Sequence, residues 1–414
     1  MTHRNSPTTF YGLGIAPKLL DIIAHLKFTT PTPIQEKAIP VAIEGKDIIG
    51  IAQTGTGKTL AFGVPMIQHI AQAKTQGIVI LPTRELALQV DEMLRALGRS
   101  LGLKTAVLIG GMSMRPQVQA VARRPHIIIG TPGRIIDHLE QKTLSLDRIS
   151  ILVLDEADRM LDMGFMPQIK QILHKMPRER QTMLFSATMP DDIVRIATQH
   201  MKLPFRVEIA RSGTAAERVE QELFVVKREQ KISLLSALLV QYRGTVLIFS
   251  RTKHGATKIT RAIRDMGHTT AEIHSGRSLP QRRAALEGFK TGRYRVLVAT
   301  DIASRGIDVV GIELVINYDI PDNPSDYIHR IGRTGRAGEA GRAISFATPE
   351  QGGAVREIEK LLQTLIAISK LPELPAVPRR GHYTQDSARA FSQRPFRHVP
   401  RSNRPRRARP FFHR

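Results

Sequence analysis

Ile48-Ile49-Gly50-Ile51-Ala52 runs directly into Gln53-Thr54-Gly55-Thr56-Gly57-Lys58-Thr59, and a helical stretch follows. A short apolar run, a loop of small residues and a helix start form half of a parallel-sheet unit. Glycines let backbone N–H groups close around phosphate oxygens, and the helix N-terminus adds partial positive charge. Thr54, Gly55, Thr56 and Gly57 supply this cradle. Lys58 is spaced to reach the β- and γ-phosphates of a nucleotide, and the Thr59 hydroxyl to ligate Mg²⁺. The strict form of such a loop opens on Gly, where Ala52 stands here. Without its strand and helix the stretch is only a Gly-rich turn.

Similar apolar runs recur on both sides. We read strands over 47–52, 77–81, 127–130, 151–155 and 182–186, then over 245–250, 270–274, 294–300, 314–318 and 341–347. Near-continuous apolar runs suit strands buried on both faces. Amphipathic segments lie between them; Leu19, Leu20, Ile22, Ile23 and Leu26 follow the 3.6-residue period. Alternation of the two predicts an α/β fold with mostly parallel sheets flanked by helices. A small, polar, aperiodic stretch near 208–218 divides two such arrays and reads as a linker. The expected organisation is an N-terminal tail over 1–9, domains over 10–207 and 219–371, and a tail over 372–414.

Composition narrows the function. The 414 residues are 42% hydrophobic, enough for real cores. At about 100–200 residues per domain the length suits two or three domains. No apolar run approaches the roughly 20 residues of a membrane-spanning helix. The start lacks a secretory signal's apolar stretch. The chain has no cysteine, which excludes disulfide scaffolds, thiolate metal sites and cysteine nucleophiles. A cytoplasmic protein is the simplest reading. Lys and Arg number 61 against 37 acids, a net charge of +24. Such a balance points to a polyanionic partner, and nucleic acid fits better than membrane because no basic amphipathic helix stands out. Residues 379–414 carry eleven Arg, no Lys and one acid, Asp386, with Tyr383, Phe391, Phe396, Phe411 and Phe412 interspersed. That segment has too little aliphatic content to offset its ordering entropy and reads as disordered. Arg pairs phosphates and stacks on bases, so it suits a nonspecific RNA tether, or else a solubilising tail.

Ile151-Leu152-Val153-Leu154 leads into Asp155-Glu156-Ala157-Asp158. Acids at the C-terminal end of a buried strand sit where α/β sheets bind ligands. Asp155 is suited to Mg²⁺, partly through water, and Glu156 to polarising an attacking water. A charged helix start would look similar in isolation.

With these four residues spelling DEAD, the chain resembles the DEAD-box RNA helicases of superfamily 2 over about residues 10–370, and is similar to their bacterial RhlE-like branch. The resemblance implies two tandem RecA-like domains and a disordered basic C-terminal tail. Phe28-Thr29-Thr30-Pro31-Thr32-Pro33-Ile34-Gln35 resembles the family's Q motif, with Phe10 upstream. Gln35 would pair with adenine through its amide donor and acceptor, and Phe28 would stack on the base. The family usually has Gly before this Phe. Lys27 replaces it, which a Lys can do unless a positive φ is required.

Pro82-Thr83-Arg84-Glu85-Leu86-Ala87, Gly110-Gly111 and Thr131-Pro132-Gly133-Arg134 resemble first-domain RNA motifs. They imply contacts by Thr83, Arg84, Gly111, Thr131, Gly133 and Arg134. Ser186-Ala187-Thr188 would couple the acidic motif, through Asp158, to RNA. In the second half Arg251 and Thr252 would face RNA. The Gln-x-x-Arg segment keeps Arg282 but has Leu279 in place of Gln. In 299–308 the resemblance places Thr300 at RNA and Asp301 at the ATP ribose. His329-Arg330-Ile331-Gly332-Arg333-Thr334-Gly335-Arg336 matches the last motif, with His329 coupling and Arg333 and Arg336 reaching the γ-phosphate as arginine fingers.

The implied activity is an ATP- and Mg²⁺-dependent RNA helicase. Closure on RNA would complete the ATP site and locally separate short duplexes or remodel ribonucleoproteins. An ATP-gated RNA clamp and a tail-driven annealer use the same parts. A monomer needs no further assumption.

Overall fold

The computed structural model describes residues 9–52, 55–209, 219–301, 309, 311–335 and 341–374. The expected tail over 372–414 lies almost entirely outside them, as does most of the linker. Among the described residues the chain forms two seven-stranded sheets, each parallel throughout. The first holds β1 (Ile48–Ile51), β2 (Gln76–Ile80), β3 (Thr105–Leu108), β4 (Ile127–Gly130), β5 (Ile149–Leu154), β6 (Gln181–Ser186) and β7 (Phe205–Glu208). Their spatial order is β3-β4-β2-β5-β6-β1-β7. The second holds β8 (Val219–Val225), β9 (Val246–Phe249), β10 (Thr270–Ile273), β11 (Val296–Ala299), β12 (Leu314–Asn317), β13 (Gly341–Ala347) and β14 (Ala367–Ile368), ordered β10-β11-β9-β12-β13-β8-β14.

The central strands β4, β5, β6, β9, β11 and β12 each carry an apolar run of at least three residues and are almost wholly buried. Helices cover each face and split each domain's core into two apolar clusters. This topology positions the site: β6 lies between β1 and β5. The phosphate loop after β1, Ser186 at the end of β6 and Asp155 after β5 therefore emerge side by side at the C-terminal edge, where open α/β sheets bind ligands.

Strands β3, β7, β8 and β14 were not expected. Three of them are sheet edges and β8 is next to one. β7 and β8 are interrupted by charged or polar residues, and Phe205-Arg206-Val207-Glu208 buries only Val207; β3 has a short apolar run, Ala106-Val107-Leu108, that the sequence reading passed over.

Lys27 shows a local conflict. The helix Pro17–His25 ends with Lys27 N donating to Ala24 O at 2.9 Å and Phe28 N to Ile23 O at 3.1 Å. This is a Schellman closure, whose C′ residue takes left-handed backbone. Lys27 has φ +63°, so the positive φ is required and a non-glycine residue bears it. Left-handed backbone costs an L-residue about 1–2 kcal/mol, while Gly loses about 0.5–1 kcal/mol more entropy on folding. Lys27→Gly should therefore raise stability by about 0.5–1 kcal/mol, read as a higher urea midpoint. A lower midpoint would disprove the strain.

Candidate active site between the two sheets

The phosphate loop is held by the Q-like segment. Thr32 Oγ1 donates to Thr56 O at 2.7 Å, and Gln35 Nε2 donates to Gly57 O at 3.0 Å. Gln35 Oε1 accepts from Thr32 N at 2.9 Å. The Gln35 amide was expected at adenine; it is buried and already clamps the loop. Its oxygen keeps a second lone pair and its nitrogen a second N–H. Gly57 has φ +87°, and a Cβ there would lie 2.3 Å from Gln35 Nε2, so glycine is required twice over. Phe28 is half-buried against the core. Gly55 is exposed, and Thr56 and Thr59 are half-buried. Thr54 lies outside the described residues.

Lys58 opens the helix Lys58–Ala73 and is buried. Its Nζ donates to Ala52 O at 3.3 Å and lies 3.6 Å from Asp155 Oδ1. Asp155 is buried, and burial raises its pKa although Lys58 opposes the rise. A buried carboxylate with this deficit of positive charge suits a divalent cation. Among the described residues no group of three or more His, Cys, Asp or Glu could hold a metal. Mg²⁺ is commonly bound by one or two carboxylates plus substrate phosphates. Asp155 and Thr59 would hold it.

Glu156 adopts left-handed backbone, φ 55° and ψ 49°, ahead of the short helix Ala157–Asp162. It is buried, which would raise its pKa. Arg159, Lys58 and Arg333 outweigh burial and hold it down at about 2. Arg333 comes from the second sheet's domain, is buried, and donates from Nε to His329 O at 3.2 Å. Its charge is felt at Glu156 across the cleft. Arg336 lies outside the described residues. Asp158 Oδ2 accepts from Ala187 N at 3.0 Å, Thr188 N at 2.9 Å and Thr188 Oγ1 at 3.0 Å. Ser186 Oγ accepts from Asp158 N at 3.2 Å. The acidic motif and the Ser-Ala-Thr segment thus form one hydrogen-bonded block.

Asp301 was expected at the ribose. Instead its Oδ1 and Oδ2 accept from Arg330 Nε at 2.6 Å and Nη2 at 2.7 Å. Arg330 is fully buried beneath Phe249, and a buried guanidinium needs a carboxylate partner.

Several RNA-assigned residues converge. The Arg84 guanidinium lies against Gly110 and Gly111; Gly111 has φ +73°, and a Cβ there would collide with it. Burial, then Arg134, depresses the Arg84 pKa; burial, then Arg84, depresses that of Arg282. Crowded guanidinium groups of this kind favour an arriving phosphate. Arg134 donates to Met112 O at 3.1 Å and pairs with Asp137 at 3.1 Å. At Gly133 a Cβ would meet nothing within 4 Å, which leaves that helix start open.

Other assignments need correction. Thr83 and Thr252 cap helices, accepting from Leu86 N at 3.3 Å and Gly255 N at 3.0 Å, and Thr83 is buried. Thr131 is also buried. Arg282 does not present itself to RNA: it forms a buried ion pair with Glu85 of the first domain. Beside it, Leu279 packs into the first domain's apolar cluster. The Gln-to-Leu departure thus adds an apolar contact between the domains. Arg251 pairs with Asp322 at 3.3 Å and donates to Ile320 O at 3.0 Å. Thr300 lines a cavity of about 500 Å³ with Arg251, Lys253 and Asp162.

Sequence reasoning missed Glu85, Arg159 and Asp319. The first two sit inside quoted motifs or directly beside one, and Arg159 is three residues from Glu156, where helical side chains meet. Asp319 Oδ2 accepts from Arg251 N at 3.1 Å and Lys231 pairs with Oδ1 at 3.2 Å; no sequence signal marks it.

Comparison with known proteins agrees with this geometry. Residues 32–196 match the model described as DEAD/DEAH box helicase, and 230–338 match the helicase conserved C-terminal domain. The ATP-dependent RNA helicase CshA of Listeria monocytogenes is 45% identical over 356 residues, covering 85% of this chain and 68% of the relative. CshA of Streptococcus pneumoniae is 46% identical over 355 residues, covering 85% and 68%. Among solved structures, S. cerevisiae Dbp5 bound to RNA and ADP BeF3 superposes with a TM-score of 0.78 at 31% identity, covering 89% of this chain and 96% of that one. Mss116p bound to ssRNA and AMP-PNP gives 0.81 at 27% identity, covering 90% and 82%. The chain belongs to the DEAD-box ATP-dependent RNA helicases, with two RecA-like domains.

Proposed function

We propose that this enzyme hydrolyses ATP in the cleft between its two sheets and uses RNA-driven closure of that cleft to separate short duplexes or remodel ribonucleoproteins. One observation carries the reading. Lys58, Asp155 and Glu156 of the first domain and Arg333 of the second share one buried electrostatic site.

Gly55, Thr56, Gly57 and Lys58 would cradle the phosphates, with Gln35 and Phe28 at the base. Mg²⁺, held by Thr59 and Asp155, would neutralise phosphate charge. Water attacks the γ-phosphorus as its bond to the bridging oxygen breaks, and ADP leaves. A carboxylate with a pKa of about 2 is a weak base at neutral pH. Glu156 therefore orients the water and takes its proton late, as a loose phosphoryl-transfer transition state permits. Arg333 stabilises charge on the γ-phosphoryl oxygens, with Arg336 as the proposed second finger. Asp158, Ser186, Thr188 and His329 would transmit the state of this site to the RNA face. We assign Asp301 to holding Arg330.

The RNA face would use Arg84, Gly111, Gly133, Arg134, Arg251 and Thr300. Phosphate contacts carry no sequence information, so binding would be largely sequence-independent. The Arg-rich segment 379–414 would act as an added tether. We propose domains over 10–207 and 219–371 joined by 208–218, and a monomeric cytoplasmic enzyme. Among the described residues no helix is long and apolar enough to cross a membrane. The motifs suggest an RhlE-like branch, whereas the relatives named above carry the name CshA and do not support that branch specifically.

The test is ATP turnover with and without single-stranded RNA, with DNA of the same sequence as control. Strong stimulation by RNA alone is expected. Equal stimulation by DNA, or none by either, would overturn RNA-coupled closure.

A further inference from the structure

Arg159 is 2% exposed. Its Nη1 donates to Glu156 Oε2 at 2.7 Å. The left-handed backbone at Glu156 is an uncommon conformation for a non-glycine residue, and such strain clusters at functional sites. Nη2 of Arg159 is buried and has no hydrogen-bond partner among the described residues. A buried N–H without an acceptor is costly, and each instance calls for an explanation.

The surroundings supply one. Arg159 is the first domain's wall of a small crevice whose other walls come from the second domain, among them Phe249, Asp326, His329 and Arg333. Its volume is about 10 Å³, close to the room that one water needs. Of the three cations that act on Glu156, Arg159 and Arg333 line this crevice, and Arg159 is the one that the first domain supplies to it.

We propose that Arg159 is a positioning residue for ATP hydrolysis. One guanidinium nitrogen fixes the Glu156 carboxylate, and the other reaches Asp326 of the second domain through one water seated in the crevice. The orientation of the water-holding carboxylate then depends on the two domains meeting. The inference rests on Glu156 being that carboxylate.

The experiment uses the full chain with saturating single-stranded RNA and compares Arg159→Met, Arg159→Lys, Asp326→Asn and Glu156→Gln. Misplacing a reacting group by about 1 Å can cost about 10²-fold, so Arg159→Met should lower kcat by about that factor, with KM for ATP within about 3-fold. Arg159→Lys keeps the charge but not the fork and should recover to about 10-fold below wild type. Asp326→Asn should lower kcat too, yet add little in the Arg159→Met background. Wild-type kcat in Arg159→Met, or a defect confined to KM, overturns the proposal. If Arg159→Met does not fold, Arg159→Lys decides: reduced kcat at unchanged KM supports the role, and wild-type kcat rejects it. Full turnover in Glu156→Gln would instead reject the assignment of Glu156. An inactive Glu156→Gln beside fully active Arg159 variants removes this inference alone.

Discussion

Glu156→Gln should cut RNA-stimulated ATP turnover by about 10²–10⁴-fold, the range for a positioned acid–base group, and leave ATP affinity close to wild type. The carboxylate is ionised throughout the neutral range, because Arg159, Lys58 and Arg333 overcome the effect of burial. The amide retains an oxygen for Arg159 Nη1, so the buried guanidinium keeps an acceptor and the fold is preserved. What it loses is the negative charge that, in the proposed mechanism, orients water and finally takes its proton. Lys58 and the glycine loop, the proposed phosphate cradle, are untouched. ATP affinity from nucleotide titration and kcat from steady-state turnover check the two halves separately. Lost ATP binding would make Glu156 a structural residue of the pocket, and unchanged kcat would remove it from the mechanism.

Arg333→Ala should be at least as severe, lowering kcat by about 10³-fold or more. Arg333 is buried, anchored by its Nε on His329 O, and close enough to Glu156 to depress its pKa. On the proposed reading the first domain holds most of the ATP and Arg333 is no RNA contact, so both affinities should hold. Arg333→Lys should recover little, because a single ammonium cannot reproduce the guanidinium fork. The discriminating measurement is single-turnover hydrolysis with pre-bound ATP and RNA. A normal rate there would place Arg333 outside the transition state.

Much of the site was legible before any fold was known. Lys58, Asp155 and Arg333 stand in motifs whose residue types and spacing already imply phosphate chemistry. The structure brings them together because each motif follows a strand or opens or ends a helix beside the cleft. The failures are physical too. Asp301 was expected at the ribose, but a fully buried Arg330 takes its carboxylate. Thr83 and Thr252 carry hydroxyls suited to phosphate, but each begins a helix whose orphan N–H groups need an acceptor. Lys27 was acceptable only if its φ were negative; the Schellman closure makes it +63°.

By itself the sequence determined the parallel α/β architecture, the two-array organisation and the phosphate chemistry. Those depend on local periodicity and on motifs contiguous along the chain. Only the tertiary structure decided the sheet edges, where weak apolar runs become strands because a neighbour offers hydrogen bonds. It alone placed Arg282 on Glu85, 197 residues away, and set Leu279 in the other domain's core. It alone left Arg159 between Glu156 and a crevice of the second domain. Such contacts form between surfaces that meet only after each sheet has folded, so no local pattern in the chain encodes them.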